Sequence, residues 1–380
     1  MKDFMFYNPT RIIFGKTGSE KIGENVRTYG KKVLLTFGKG SIKKNGIYGK
    51  VMEQLEDFEV KEFGGIEPNP RIETLRGCLS QHKGFKPDLI LAVGGGSTID
   101  GSKLLSASWH YHGNPWDFLT SDVESQLYVP LATVLTISAT GSEMNKGAVI
   151  TNWETHEKLF FQREHLYPRF SILDPRNTFS VPKDQTAYGA ADSFSHVLEQ
   201  YINTTLDAPL QDKFAEGILN IIIKNVPIAL QDPRDYNARA NLMLCATMAM
   251  NYLIGSGVGQ DWAAHGIENE LSGFYDIPHG AGLAILTPRW MEVVKGQKEY
   301  KILQYGRQVW GFKKPDVDTV IKRTYEFFKE LEIKMSLKEW DIDDIYFDEI
   351  VERLVKIGIG EIRLTKKQIR TILQKSLTRY

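Results

Sequence analysis

Asp88-Leu89-Ile90-Leu91-Ala92-Val93-Gly94-Gly95-Gly96-Ser97 is the most telling run of this chain. Its apolar part is continuous, without the alternation of a half-exposed strand. That predicts a parallel strand over Asp88–Val93, buried on both faces. Three glycines and a serine follow at once, and a helical pattern, Thr98–Trp109, opens behind them. Glycines let a ligand approach the backbone, and a helix start offers unpaired N–H groups and a positive dipole end, where a pyrophosphate binds. Read alone, Gly94, Gly95, Gly96 and Ser97 fit a phosphate cradle and an ordinary tight turn equally well. Asp100 fits either a helix-capping acid or a part of that cradle. The pattern is neither G-x-G-x-x-G nor G-x-x-x-x-G-K-[ST], which disfavours a P-loop nucleotide hydrolase.

Outward from this run the same rhythm continues in both directions. Strands are predicted at Arg11–Phe14, Lys32–Phe37, Phe58–Phe63 and Leu131–Thr136. Helical stretches are predicted at Ser19–Tyr29, from the turn after Phe37 to about Glu56, and at Arg71–Lys83. Alternating β and α segments imply a parallel sheet with helices on both faces. A second loop, Thr136-Ile137-Ser138-Ala139-Thr140-Gly141-Ser142-Glu143, follows a strand directly and carries four hydroxyls. Ligands of open α/β sheets bind at that strand edge, although a solvated turn explains the loop as well. After Pro182 the patterns turn helical: Asp184–Ile202, Pro209–Leu230, Arg234–Leu253, Asp261–Leu271, Val317–Glu330, Asp348–Ile357 and Lys366–Lys375. The expected architecture is an α/β dinucleotide-binding domain over residues 1–178 and an all-helical metal-binding domain over 179–380, the boundary falling around residues 174–182.

Composition narrows the class. With 380 residues and 42% hydrophobic content, the chain exceeds one compact core, so two domains are expected. Lys plus Arg and Asp plus Glu both number 47, and no basic stripe carries interleaved aromatics, which argues against nucleic acid as a partner. Two cysteines, Cys78 and Cys245, make neither a disulfide framework nor a Cys-rich metal site and suit a reducing compartment. The most apolar stretch, Ile218–Leu230, is interrupted by Asn220, Lys224, Asn225 and Pro227 and is not expected to span a membrane. No secretory signal is read at the start, and the expected location is cytoplasmic.

Asp192 and His196 lie four apart on a predicted helix, one turn apart on one face. His265 lies on a later helix, and His279 stands in Asp276-Ile277-Pro278-His279-Gly280. One carboxylate and three imidazoles are a donor set suited to a divalent ion. An isolated i,i+4 Asp–His pair is more often a structural pair, so the spacing leaves both readings open.

Together these stretches resemble the iron-containing (group III) alcohol dehydrogenase family, in its butanol dehydrogenase and broad-range aldehyde reductase branch. The resemblance is carried by Gly64-Gly65-Ile66-Glu67-Pro68-Asn69-Pro70, Gly94–Ser97 with Asp100, Thr140-Gly141-Ser142-Glu143, Ser171-Ile172-Leu173-Asp174-Pro175, Ala191-Asp192 with His196-Val197-Leu198-Glu199-Gln200-Tyr201, and Asp276–Gly280. It implies a dehydroquinate synthase-like fold with the active site in a cleft between the two domains. It implies metal ligation by Asp192, His196, His265 and His279, with Fe²⁺ as the ion; three imidazoles and a carboxylate also suit Zn²⁺. It implies cofactor contacts at Gly38, Asn69, Gly94, Gly95, Gly96, Ser97, Thr136, Ser138 and Lys158, to which Ser41, Asp100 and Thr140 are added from their loops. The expected reaction is hydride transfer between a nicotinamide and a small aliphatic alcohol or aldehyde such as butanol or butanal, aided by a Lewis-acidic metal and without a side-chain nucleophile.

Two features are particular to this chain. Many relatives carry a further histidine four residues after the third ligand; here that residue is Asn269, which can contact substrate but cannot shuttle a proton, so the relay falls to water, the cofactor ribose, or the neighbouring Glu268 or Glu270. In the turn after the second strand, Gly38 stands where NAD-selective relatives tend to carry Asp, and Lys39, Ser41 and Lys43 are close by. NADP(H) is therefore expected to be preferred over NAD(H). A homodimer is expected from the resemblance. The competing readings are a glycerol-dehydrogenase-like polyol dehydrogenase, a metal-dependent hydrolase on the same ligands, and a non-catalytic nucleotide-binding regulator. The Asp192/His196 pair and the Asn145 context favour the alcohol dehydrogenase branch.

Overall fold

A computed structural model describes the whole chain, Met1–Tyr380. The residues cluster into two compact units. One comprises Tyr7–Val181 with Pro233–Thr247; the other comprises Met1–Phe6, Pro182–Asp232 and Met248–Tyr380.

The first unit is built on strands β1 (Arg11–Phe14), β2 (Lys32–Phe37), β3 (Glu59–Phe63), β4 (Leu89–Gly94), β5 (Leu131–Leu135), β6 (Gly147–Asn152), β7 (Glu157–Gln162) and β8 (Phe170–Leu173). Helices α1 (Ile22–Arg27), α2 (Ser41–Lys44), α3 (Ile47–Gln54), α4 (Ile72–Gln81), α5 (Gly96–Ser108) and α6 (Asp117–Thr120) connect them. Six strands form one wholly parallel sheet in the order β1-β8-β5-β4-β2-β3. All six residues of β4 are buried, as its uninterrupted apolar sequence requires of a strand covered on both faces. Period two then sorts the side chains. Leu34, Ile90, Ala92, Leu131 and Leu135 pack with Leu75, Ile99 and Leu104 from α4 and α5. Val33, Leu35, Leu89, Leu91, Val93, Ala132 and Val134 pack with Ile22, Val26 and Val51 from α1 and α3 on the opposite face.

Register aligns the carboxyl ends that matter. Phe37 pairs with Val93, and Gly94 with Leu135, so the loops after β2, β4 and β5 leave the sheet side by side. From β2 the chain runs outward to β3 and returns to β4 on the other side of β2. Adjacent β2 and β4 therefore diverge in their connections, the switch point where open parallel sheets bind ligands. An antiparallel β6–β7 hairpin lies outside the main sheet, and its Ala148, Ile150 and Phe161 join the α5-side core. Neither this hairpin nor β8 is among the strands expected from sequence.

Helix α9 (Tyr236–Ala249) is mostly part of this unit, although it comes late in the chain. Its Met243 enters the α5-side core, and Thr247 Oγ1 donates to the buried Glu143 carboxylate at 2.5 Å.

The second unit contains α7 (Lys183–Tyr201), α8 (Pro209–Gln231), α10 (Ala263–Tyr275), α11 (His279–Gln308), α12 (Val317–Glu330), α13 (Phe347–Ile357) and α14 (Lys366–Ser376). From Gly189 to Tyr201 every residue of α7 is buried, so this helix forms the axis of the unit. Phe194 packs against Phe327 and Phe328 of α12, with ring centroids 5.0 and 5.5 Å away. Helix α11 is longer than any helix expected from sequence and breaks helical geometry at Lys298 (φ −118°, ψ 16°).

Candidate metal centre

Three helices of the second unit bring the Asp/His set together. On α7, Asp192, His196 and Glu199 recur at i, i+4 and i+7 and share one face. His265 stands on the first turn of α10, and His279 is the first residue of α11, just after the left-handed Asp276 (φ 54°) that ends α10. Asp192 Oδ1 lies 3.1 Å from His196 Nδ1, 4.0 Å from His265 Nε2 and 3.8 Å from His279 Nε2. The ligand atoms of Asp192, His265 and His279 all fall within 4.8 Å of one another. The His196 ring stacks on that of His265 at 4.4 Å.

Two buried acids aim the imidazoles. His265 Nδ1 meets Glu199 Oε2, and His279 Nδ1 meets Glu268 Oε2. A carboxylate on Nδ1 fixes the tautomer and leaves Nε2 as the electron-pair donor, the usual outer arrangement around a metal-bound histidine. Both acids are fully buried. Glu199 also accepts from Ala264 N at 2.7 Å, and Glu268 from Ser272 Oγ. Burial and the neighbouring Asp261 charge raise the Glu199 carboxyl, with the Ala264 and His265 backbone contacts and Lys298 opposing. Glu199 was legible as a third member of the α7 face. The role of Glu268, between His265 and Asn269, had no signal in its spacing.

The centre fits a cation. Asp192 Oδ1 and His196 Nδ1 are buried and make no hydrogen bond, although they face each other. A buried polar atom without a partner costs about 1–3 kcal/mol. Burial pushes the His196 imidazole down to about 3, with Asp192 opposing and His265 and His279 adding to the shift, so the ring is neutral as a ligand must be. Trp262 sets its ring edge-on to His196 and His265, with centroids 6.1 and 5.3 Å away. One turn beyond His265 on α10, Asn269 holds a buried Oδ1 that also makes no hydrogen bond.

The nucleotide candidates belong to the first unit. Gly94 ends β4, and its carbonyl accepts from Thr136 N at 3.0 Å. A Cβ on Gly95 would lie 2.1 Å from Ile137 Cγ2, and one on Gly96 would lie 2.4 Å from Thr140 Oγ1. These glycines thus let the loop after β4 pack directly on the loop after β5. Thr136, Ser138 and Thr140 are partly exposed, directly after a fully buried strand. Ser97 lies in the first turn of α5, and Gly38 follows β2, where a Cβ would lie 3.3 Å from the Ile66 carbonyl oxygen. Ser41 is exposed at the start of α2, Asn69 is buried with φ 53°, and Lys158 is buried on β7.

Asp100 is engaged within the protein. Its two oxygens accept from Ser142 Oγ at 2.5 Å and Val149 N at 2.9 Å, and it does not cap α5. One turn on, the fully buried Lys103 donates to Ser142 O, Ser142 Oγ, Asn145 Oδ1 and Gly147 O at 2.7–2.8 Å. Burial lowers this ammonium to about 8, against the pull of Asp100 and Glu143. Sequence reasoning missed Lys103, which fastens the Thr140–Gly147 segment onto α5.

Comparison with known proteins agrees with this geometry. The model of the family described as iron-containing alcohol dehydrogenase matches residues 9–175, and that of the C-terminal part of the same family matches residues 186–377. The NADH-dependent butanol dehydrogenase B of Clostridium acetobutylicum is 42% identical, over 99% of this chain and 100% of its own length. The NADPH-dependent aldehyde reductase YqhD of Escherichia coli is 40% identical over 95% of each chain. The crystal structure of NADH-dependent butanol dehydrogenase A from Thermotoga maritima superimposes with a TM-score of 0.96 at 37% identity, covering 100% of this chain and 99% of that one. A parallel six-stranded α/β unit, a helical unit bearing an Asp/His cation site, and full-length similarity at this level lead to one assignment: the chain belongs to the iron-containing alcohol dehydrogenase family and is an NAD(P)-dependent oxidoreductase of the alcohol dehydrogenase and aldehyde reductase kind.

Proposed function

We propose that this protein interconverts small aliphatic aldehydes and alcohols, of about the size of butanal and butanol, using NADP(H) in preference to NAD(H). Iron(II) is the proposed ion, with zinc(II) able to replace it, held by Asp192, His196, His265 and His279. The observation that carries this reading is the convergence of the Nε2 atoms of His265 and His279 on Asp192 Oδ1, each ring aimed by a buried glutamate.

When bound, the cation supplies Lewis acidity toward a carbonyl or hydroxyl oxygen, and the nicotinamide supplies or accepts hydride. The chain's own residues do the rest. Glu199 and Glu268 orient the imidazoles and hold the proton at Nδ1, leaving Nε2 as the donor atom. Trp262 flanks two of the rings with an apolar surface suited to an alkyl chain. Asn269 offers an amide that orients a substrate oxygen but moves no proton.

In the first unit the dinucleotide is proposed to lie on Gly38, Asn69, Gly94, Gly95, Gly96, Ser97, Thr136, Ser138, Thr140 and Lys158, with Asp100 bracing the cradle from behind. Gly38 carries no carboxylate to repel a 2′-phosphate, and Lys39 and Ser41 beside it are exposed. Lys43 is paired with Glu62 at 3.2 Å and contributes less. The named relatives include both NADH- and NADPH-dependent enzymes, so this preference rests on the turn itself.

A homodimer is supported by the run of exposed apolar residues Phe4, Met5, Phe6 and Tyr7 at the start of the chain. Two unbridged, buried cysteines suit the cytoplasm. No helix is long and apolar enough to cross a membrane.

The test is a series of straight-chain aldehydes from three to eight carbons, assayed with NADPH and with NADH on protein of measured metal content. The expected outcome is metal-dependent turnover with a lower KM for NADPH. A lower KM for NADH would overturn the nucleotide preference, and failure to oxidise either nucleotide with any aldehyde would overturn the reaction.

A further inference from the structure

The wall of imidazoles depends on where α10 begins, and that beginning is unusual. Trp262 precedes it in the left-handed region (φ 60°, ψ 17°), which costs a bulky residue about 1–3 kcal/mol. No side chain of the preceding residue caps the helix. Two buried carboxylates take its open N–H groups instead. Asp261 Oδ1 accepts from Ala263 N at 3.2 Å, and Glu199 Oε1 accepts from Ala264 N at 2.7 Å. Asp261 N in turn donates to the Glu199 carbonyl at 2.9 Å.

Asp261 is held by Trp290 Nε1, which donates to Oδ1 at 2.8 Å, by Glu361 N at 3.3 Å, and by one fully buried ammonium. Lys298 Nζ donates to Asp261 Oδ2 at 2.5 Å and to Ile202 O, at the end of α7, at 2.9 Å, and it pairs with Glu361 Oε2 at 3.0 Å. Both Lys298 and Asp261 side chains are 0% exposed. Lys298 stands where α11 departs from helical geometry, and the same helix begins with His279. A single cationic group thus joins the end of α7, which carries Asp192, His196 and Glu199, to the lead-in of α10, which carries His265. Buried ion pairs add little net stability, because dehydration offsets most of the attraction. What this one contributes is direction: three bonds from one nitrogen to three separate segments.

We propose that Lys298 is a positioning residue for the metal centre, setting through Asp261 and Ile202 where α10 starts against α7 and hence where His265 presents Nε2, so that it governs cation affinity and coordination geometry without touching a ligand. The proposal rests on the metal reading given above.

A second buried lysine supplies the control. Lys301, one turn further along α11, pairs with Asp212 at 2.5 Å and is equally buried, but its partner lies on α8, which carries no ligand. Lys301 Nζ also lies 5.4 Å from the centroid of the Tyr201 ring at the end of α7, but it makes no bond to the lead-in of α10, so comparable burial and charge exist with and without a link to the start of α10.

The experiment is a Co²⁺ titration of chelator-stripped full-length protein, followed by visible d–d absorption and chelator competition. Wild type, Lys298→Met, Asp261→Asn/Lys298→Met and Asp212→Asn/Lys301→Met are compared, each first checked for native circular dichroism. The double variant at 261 and 298 leaves neither of those two charges buried and decides the matter if Lys298→Met does not fold. The expected result is a Co²⁺ affinity about 10–100-fold weaker, with an altered band, in the Lys298 variants. The Asp212/Lys301 variant should keep wild-type affinity and band. A Lys298 variant that binds Co²⁺ within twofold of wild type with an unchanged band overturns the role of Lys298 alone. So does an equal loss in the Asp212/Lys301 variant. No Co²⁺ band in the wild type overturns the metal reading, and this proposal with it.

Discussion

At the scale of the residue, the centre is defined as much by its acids as by its imidazoles. Glu268 has one oxygen on His279 Nδ1 and the other on Ser272 Oγ, and no exposure to water. Replacing it by glutamine keeps the size but removes the charge that holds the ring. Metal affinity should fall about tenfold, read by chelator competition. Wild-type affinity in Glu268→Gln would show that backbone geometry alone aims His279. A second residue-scale prediction concerns acid stability. The Arg379 guanidinium, with help from Ser336, holds the Glu339 carboxyl down at about 2. A depressed carboxyl stabilises the folded state fully above its ordinary value near 4.5 and loses that contribution as pH falls toward 2. The melting temperature of Glu339→Gln should therefore lie below wild type at pH 7, and the gap should narrow as the pH drops below 4. A gap independent of pH would refute the ionic origin.

At the scale of the element, helix starts do the positioning. Gly280 shows why His279 is followed by glycine. A Cβ there would lie 2.0 Å from the Tyr188 carbonyl oxygen, so the first turn of α11 rests on the backbone of α7 one turn before Asp192. Gly280→Ala must push the two helices apart. It should cost about 1–3 kcal/mol and weaken metal binding together with stability. Melting temperature and Co²⁺ affinity, measured on the same preparation, check both halves of that expectation. The elements also mark how far sequence reading reaches. β4 was legible because a strand covered on both faces needs an unbroken apolar run, and α12 was legible from its one-sided apolar pattern. The β6–β7 hairpin was not, because its turn has no Asn-Gly or Gly signal, and His156 supplies the left-handed residue (φ 54°). Helix α11 was hidden because its first half is buried on all sides and contains Pro288. Among site residues, Asp192 and His196 were visible as an i,i+4 pair. Lys103 and Lys298 were not, since their partners lie far away in sequence, and Glu268 meets His279 only through the turn that joins α10 to α11.

At the scale of the whole molecule, an ion bound only by the folded state adds to its stability. Chelation should lower the melting temperature, and restoring Fe²⁺ or Zn²⁺ at a hundredfold excess over its dissociation constant should return about 2.7 kcal/mol. An unchanged melting curve would mean that the Asp/His set binds no ion tightly. The path of the chain has its own consequence. Glu143 receives its hydroxyl from Thr247, and the α/β core receives Met243, from a helix translated some sixty residues after the last strand. A fragment ending at Val181 would contain every strand and still expose an apolar gap and strand a buried acid. The nascent polypeptide can seal its first half only after residue 247 has left the ribosome, and any attempt to express that half by itself should splice this late helix back on.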